Sequence, residues 1–204
     1  MSGIFISLDG VDGGGKSTQV RLLAEYLRSL DHDVITFRDP GGTKLGEALR
    51  EILLHRQEIP LTGTAEMLLY MASRAELVAE CIRPALEGGK TVITDRFLLA
   101  NVVYQGCAGT LDPSRLWQVG EIATGGLQPD LTIVFDIAVE QALGRISRGF
   151  DRLESRGTEY MERVRRGFLE QVSHLGSRAV VVDANAGIEA VQARVQHAVD
   201  NLLR

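Results

Sequence analysis

Ile4-Phe5-Ile6-Ser7-Leu8-Asp9-Gly10-Val11-Asp12-Gly13-Gly14-Gly15-Lys16-Ser17-Thr18 is the stretch on which the reading of this chain turns. Ile4 to Leu8 is a short apolar run of the kind that forms a buried strand, and a helical pattern opens at Lys16. Between them, Gly10 to Ser17 satisfies G-x-x-x-x-G-K-[ST] at every fixed position, in the strand–loop–helix context that the motif requires. Glycines let the backbone curl into a nest of inward N–H groups, and the helix N-terminus adds the positive end of its dipole. Gly10, Val11, Asp12, Gly13, Gly14, Gly15, Lys16, Ser17 and Thr18 are therefore the expected cradle for a nucleotide's phosphates. Lys16 is expected to reach the β/γ-phosphates as an exposed point charge, and Ser17 Oγ to ligate Mg²⁺. The variable positions, Val11 to Gly14, hold no arginine. If phosphoryl transfer is the chemistry, the arginine that commonly stabilises it has to come from elsewhere.

Outward from this loop, apolar runs alternate with helical patterns to the end of the chain. Val34-Ile35-Thr36-Phe37, Thr91-Val92-Ile93-Thr94, Leu131-Thr132-Ile133-Val134-Phe135 and Ala179-Val180-Val181-Val182 read as further strands. Their near-continuous apolar character implies burial on both faces, as in a parallel sheet covered by helices. Helical spacing covers Lys16–Leu30, Thr64–Glu87, Pro113–Thr124, Val139–Arg148, Thr158–Leu175 and Ile188–Leu203. Strand–helix alternation predicts a three-layer α/β fold with right-handed crossovers, in one domain over residues 1–204. In such sheets ligands bind at the carboxyl ends of the strands, so motifs far apart in sequence are expected to share one cleft.

Composition narrows the function. The chain has 204 residues, 45% hydrophobic and 24% charged, with a net charge of −5. That balance disfavours nucleic-acid binding through a basic face. No apolar run approaches the roughly 20 residues of a membrane-spanning helix. The N-terminus lacks a signal-peptide pattern, which points to the cytoplasm. Two cysteines, Cys81 and Cys107, without a His/Cys cluster, suggest neither a disulfide framework nor a zinc site.

Each remaining strand end carries chemistry. Arg38-Asp39-Pro40-Gly41-Gly42-Thr43 makes a rigid turn beside one cation and one anion. Asp95-Arg96 offers a carboxylate for Mg²⁺-bound water and a guanidinium for a phosphate. Arg145, Arg148 and Arg152, at i, i+3 and i+7, would share one helix face. They are the expected source of the missing cation, in a lid at about residues 145–157 that favours Arg148 and Arg152. Arg156, Arg163, Arg165 and Arg166 follow; a solvated basic face is the competing reading for the whole group. Tyr70 and Arg74 share a helix face suited to stacking on a pyrimidine and bonding its carbonyl, against the alternative of a core tyrosine and a surface arginine. Asn101, Tyr104 and Gln105 form a similar cluster.

Taken in order, Leu8 to Thr18, Arg38 to Thr43, Ser73-Arg74, Asp95-Arg96-Phe97, Tyr104-Gln105-Gly106, Pro129-Asp130-Leu131-Thr132 and Asp183-Ala184 resemble the bacterial thymidylate kinases. The resemblance runs from about residue 3 to the C-terminus, and its proline-diglycine turn and Tyr-Gln-Gly segment are more particular to the family than the phosphate loop. It implies a P-loop NTPase three-layer αβα sandwich with a five-stranded parallel sheet, a homodimer, ATP and Mg²⁺, and dTMP as acceptor. It also implies Asp9 near Mg²⁺ and the acceptor phosphate, and Asp12 near the deoxyribose. Arg38, Arg50 and Arg96 take positions on the acceptor phosphate, while Tyr70, Arg74, Asn101, Tyr104 and Gln105 surround thymine and its sugar. By the same resemblance Lys16, Asp9, Arg96, Arg148 and Arg152 serve catalysis, and Ser17, Asp9 and, through water, Asp95 hold the metal. Three departures stand out: Asp39 replaces the usual Glu, Ala100 stands where Ser is common, and the lid is one residue short.

A regulatory GTPase would carry an Asn-Lys-x-Asp segment and a switch Asp-x-x-Gly, and the chain has neither. A kinase for another nucleoside monophosphate or a deoxynucleoside stays open on the residues alone.

Overall fold

The structure, a computed structural model, describes residues 3–146 and 151–204. Among these, five strands form one parallel sheet in the order β2-β3-β1-β4-β5. They are β1 Phe5–Gly10, β2 Val34–Arg38, β3 Thr91–Asp95, β4 Leu131–Asp136 and β5 Ala179–Asp183. All five follow the apolar runs of the sequence to within two residues; β1, β3 and β4 are buried on both faces, whereas the edge strands β2 and β5 are partly exposed, against the expectation of two-face burial. β1 lies at the centre, with Leu8 opposite Asp95 of β3 and Ile133 of β4. Successive residues point to opposite faces. Phe5 and Val92 accordingly join a cluster with Met71 and Phe97, while Ile6, Leu8 and Ile93 join one with Leu23, Leu27 and Val195.

The covering helices are α1 Lys16–Ser29, α2 Lys44–Arg50, α3 Gly63–Leu77, α4 Arg83–Glu87, α5 Leu98–Asn101, α6 Pro113–Thr124, α7 Val139–Gly144, α8 Thr158–Leu175 and α9 Ile188–Leu203. Local chemistry sets several ends. Thr43 Oγ1 accepts from Gly46 N–H at the start of α2. Asp112 caps α6 ahead of Pro113, and Gly125 closes it at φ 57°. Two helical stretches depart from the sequence reading, which placed no helix over 44–55 or 98–107. There α2 and α5 run on through widened turns, marked by Arg56 N–H to Glu51 O and Ala108 N–H to Val103 O. Such i→i+5 turns are frequent at functional sites, and both border the cleft described below.

A third difference concerns the expected helix Val139–Arg148. It ends at Gly144, and the chain turns at Arg145. Arg145 and Arg152 therefore do not share one helix face. Arg148 lies outside the described residues.

Candidate active site

The phosphate loop joins β1 to α1 by a path that only glycine takes easily. Gly13 has φ +79°, and a Cβ there would lie 2.0 Å from Ala142 O. The loop thus packs on α7, and α1 starts at Gly15 with no side chain covering its first N–H groups. Lys16 is buried rather than exposed as the sequence suggested: its Nζ donates to Val11 O at 2.8 Å. Burial, with Arg96 nearby, lowers its pKa, while Asp12, Asp95 and Asp9 act to hold it up. Ser17 Oγ donates to Asp95 Oδ2 at 2.7 Å, across the gap between α1 and the end of β3.

Asp9 sits beneath this loop, fully buried. Oδ2 accepts from Ser7 Oγ at 3.2 Å, and Oδ1 has no partner. Burial pushes its pKa up to about 6, against the pull of Arg96, Ser7 and Lys16. Asp9, Gly10 and Val11 do not line the cleft themselves.

Arg96 follows β3 with φ +72°, left-handed for a residue that carries a Cβ. Such a conformation costs about 1–3 kcal/mol and persists only where its surroundings fix it. Here the turn sends the guanidinium back over the phosphate loop. Nη1 donates to Gly10 O at 2.8 Å and Nη2 to Asp12 Oδ1 at 2.7 Å. The group lies 4.9 Å from the Tyr104 ring centroid, and Tyr104 Oη donates to Asp12 Oδ2 at 2.9 Å. Burial raises the Asp12 pKa, but Arg96, Lys16 and these hydrogen bonds outweigh it and hold the carboxyl well below the usual range.

The turn after β2 carries the next set. Asp39 is buried and its Oδ2 accepts from Arg74 Nε at 2.6 Å. Arg74 is 1% exposed; it also donates to Asn101 Oδ1 at 3.0 Å and Phe97 O at 3.3 Å. Asp39 thus holds Arg74 through Oδ2, while its Oδ1 is buried without a hydrogen-bond partner and the residue lines the cleft. Arg38 pairs with Glu47 at the surface, and Arg50 Nη1 donates to Pro40 O at 2.9 Å. Tyr70 is largely buried and belongs both to the core and to the cleft wall.

On the opposite wall, Arg152 donates to the carbonyls of Leu53, Ile52 and Arg56 and does not line the cleft. Arg145 does line it, with long contacts of 3.4 and 3.5 Å to Ala184 O. Glu66, which the sequence reading passed over, is a buried carboxylate that accepts from Gln105 and Arg156. Its signal was spacing: 66, 70 and 74 repeat every four residues along α3.

These groups converge on one cleft of about 1100 Å³, lined by Asp12 to Gln19, Arg38, Arg50, Tyr70, Arg74, Arg96, Asn101, Tyr104, Gln105 and Arg145 among others. The lining comprises the loop from Asp12 to Ser17, the aromatic and amide groups of Tyr70, Tyr104, Asn101 and Gln105, and several arginines. The family model described as thymidylate kinase matches residues 8–195. The chain belongs to the thymidylate kinase family. It is 48% identical over 189 residues to thymidylate kinase of Rhodopirellula baltica, covering 93% of this chain and 77% of that protein. It is 45% identical over 205 residues to that of Caldanaerobacter subterraneus subsp. tengcongensis, covering 100% and 98%. The crystal structure of thymidylate kinase from Ehrlichia chaffeensis is similar with a TM-score of 0.81, 29% identity, and 98% and 100% of the two chains covered.

Proposed function

We propose that this protein transfers the γ-phosphoryl group of ATP to the phosphate of dTMP, giving dTDP. The observation that carries the reading is the shared cleft, lined by the phosphate loop, by Tyr70, Arg74, Asn101 and Gln105, and by Arg38, Arg50 and Arg96. A dTMP phosphate oxygen attacks the γ-phosphorus, and the bond to the β-bridging oxygen breaks, leaving ADP. The loop N–H groups and Lys16 hold the donor; Arg38, Arg50 and Arg96 bring the acceptor dianion alongside it. Both are tasks of positioning and charge, which dominate phosphoryl transfer. Arg148 and Arg152 are the lid arginines assigned to the moving phosphoryl group, and Arg152 has to leave its three carbonyl partners to act.

The residues present also fit a magnesium ion. Ser17 Oγ and Asp95 meet at 2.7 Å and both line the cleft, whereas Asp9 is buried beneath the loop and does not; among the described residues no group of three His, Cys, Asp or Glu could hold a metal alone. Mg²⁺ is characteristically shared with substrate phosphates in this way. When bound it supplies charge neutralisation on the β- and γ-oxygens.

The test is a panel of dTMP, dUMP, UMP, CMP, dCMP and thymidine with ATP and Mg²⁺. Turnover of any other acceptor tenfold better than dTMP would overturn the assignment. We place the enzyme in the cytoplasm, where nucleotide pools lie; among the described residues no helix is long and apolar enough to cross a membrane. A second copy of the chain is the partner proposed for Leu45, Leu68 and Ile122, which are 46%, 51% and 82% exposed. They belong to α2, α3 and α6, and α3 packs on both of the others. Sedimentation of Leu68→Glu as a monomer, and of the wild type as a dimer, is the expected result.

A further inference from the structure

Among the described residues, three arginine–carboxylate pairs line the cleft, and they differ in how easily they exchange partners. Arg74 and Asp39 are 2% and 0% exposed, a buried pair with no water to replace either partner. Arg96 and Asp12 are 15% and 23% exposed, and Tyr104 Oη donates to the same carboxylate. Arg38 and Glu47 are 56% and 46% exposed. An ion pair this open shifts an equilibrium only a few-fold, because water solvates both groups when they part.

The two halves of that third pair are held unequally. Glu47 lies in α2, and its Oε1 accepts from Gly42 N–H at 2.9 Å. This backbone contact, and Arg38 after it, hold the carboxyl below its usual range. Arg38 Nη2 donates to Glu47 Oε2 at 2.7 Å, and the other guanidinium nitrogens make no hydrogen bond to the described residues. Glu47 is therefore tied to the backbone, whereas the Arg38 guanidinium is tied to Glu47. The two side chains meet across Gly41, where a Cβ would lie 2.7 Å from Glu47 Oε1 and 3.2 Å from Arg38 Nε.

Towards a guanidinium, a carboxylate offers what a phosphate offers: negative charge and acceptor oxygens that match the same fork. Arg38 thus already holds an anion in the free protein. A phosphate that takes Arg38 has to displace the carboxylate, and one that shares it lies beside a like charge. Either way Glu47 reduces what Arg38 contributes to a phosphate-bearing acceptor, and it leaves an uncharged nucleoside unaffected.

We propose that Glu47 is a positioning residue that acts through Arg38 as a stand-in for the acceptor phosphate. It holds the guanidinium while the cleft is empty and yields it to the incoming dianion, so dTMP and dTDP both bind less tightly than they would to an unpaired Arg38. Binding energy common to substrate and transition state lowers KM without raising kcat. Its partial cancellation leaves the chemical step unchanged and hastens the departure of dTDP. The proposal rests on the dTMP kinase reading.

Glu47→Gln keeps an acceptor oxygen for Gly42 N–H and removes the charge. Calorimetric titration of the ATP-free protein with dTMP, dTDP and thymidine reads the effect, with the thermal midpoint alongside. The dissociation constant for dTMP is expected to fall by about two- to fivefold, the range of an exposed ion pair. That for dTDP falls by no more than the same factor, since the α-phosphate of the product carries one negative charge fewer. Thymidine affinity stays unchanged, and most of the gain for dTMP disappears when Glu47→Gln is made in the Arg38→Ala background. Glu47→Ala, with water taking over the exposed Gly42 N–H, carries the test if Glu47→Gln does not fold. Weakened dTMP binding overturns the proposal and makes Glu47 a brace that orients Arg38; unchanged dTMP binding overturns it as well. So does an equal change for thymidine with a lowered thermal midpoint, which marks a merely structural role. A gain that persists in full without Arg38 also overturns it, because the carboxylate then only repels the phosphate. Wild-type protein inactive on dTMP would instead refute the underlying activity.

Discussion

Ser17 Oγ lies 2.7 Å from Asp95 Oδ2, which joins the first turn of α1 to the carboxyl end of β3. This hydroxyl and carboxylate are the groups proposed to hold Mg²⁺ together with the substrate phosphates. Ser17→Ala and Asp95→Asn are expected to raise the Mg²⁺ concentration needed for half-maximal rate by about 10–100-fold, the usual cost of disturbing groups around a metal. A Mg²⁺ titration of activity checks this. An unchanged midpoint in both variants would show that the pair serves only to hold α1 against the sheet.

Lys16 tests the donor end. Its ammonium is desolvated and bonded to Val11 O, so Lys16→Ala removes a buried charge and leaves one carbonyl short of a donor. Those two changes oppose each other in the free protein, and the thermal midpoint is expected to shift by only a few degrees. The rate, in contrast, is expected to fall by about a thousandfold or more, as for other groups aimed at developing charge. Wild-type turnover in this variant would remove Lys16 from the chemistry.

Much of this site is legible in the sequence. The phosphate loop was readable because its geometry restricts residue type: only glycine tolerates φ +79° at Gly13 with Ala142 O so near. The central strands were readable because burial on both faces forces unbroken apolar runs, and the edge strands β2 and β5 because their β-branched runs are short and lie between turn residues. Helices over 44–50 and 98–101 were not, since each is short and follows a motif whose turn residues mask the onset of helical spacing. Arg152 was misplaced because i, i+3, i+7 spacing has meaning only while the helix lasts, and α7 ends at Gly144. Glu66 was passed over, despite its spacing with Tyr70 and Arg74, for a different reason. Sequence marks a lone Glu as a surface residue, and only its partners Gln105 and Arg156 make its burial affordable.

Asp9 gives a pH dependence with a definite sign. Its folded pKa is raised from 3.8 to about 6, because burial penalises the charged form. The stability associated with protonation is thus complete below about pH 4 and is lost as pH rises through about 6. A shift of about two units corresponds to on the order of 3 kcal/mol. In metal-free buffer, Asp9→Asn is expected to melt higher than wild type near pH 8, with the gap closing towards about pH 4. A gap that stays constant across that range would mean that Asp9 does not titrate there.

Tyr70 is both wall and core, and the two roles separate in kinetics. Tyr70→Ala is expected to cost about 3–5 kcal/mol of stability, as large aromatic truncations do. It should also raise KM for dTMP well beyond KM for ATP, since base stacking on an aromatic ring is worth roughly 1–3 kcal/mol. Comparable rises for both substrates would leave Tyr70 with the core role alone.

The lid arginines are the sharpest test of the mechanism. Val11 to Gly14 provide no cation, so the charge on the transferring phosphoryl group falls to Lys16 and to arginines from the far wall. Arg152 is held by the carbonyls of Leu53, Ile52 and Arg56. Hydrogen bonds to a charged group are worth about 1.5–3 kcal/mol each, a ceiling here because water replaces them on release. An arginine at the transition state typically brings about 10³–10⁵ in rate, or roughly 4–7 kcal/mol at about 1.4 kcal/mol per tenfold. The gain is comparable with the cost of release, so movement of Arg152 into the cleft is energetically accessible once the phosphates are in place. At least one of Arg148→Ala and Arg152→Ala is therefore expected to lower kcat by about a hundredfold, with KM for dTMP little changed, because the contact matters most in the transition state. If Arg152 only fastens its segment to α2, its loss will appear in the thermal midpoint and leave kcat within a few-fold of wild type. Should the Arg148/Arg152 double variant also stay in that range, the lid mechanism is wrong, and Arg145, already on the cleft wall with contacts of 3.4 and 3.5 Å that cost little to break, becomes the arginine to replace.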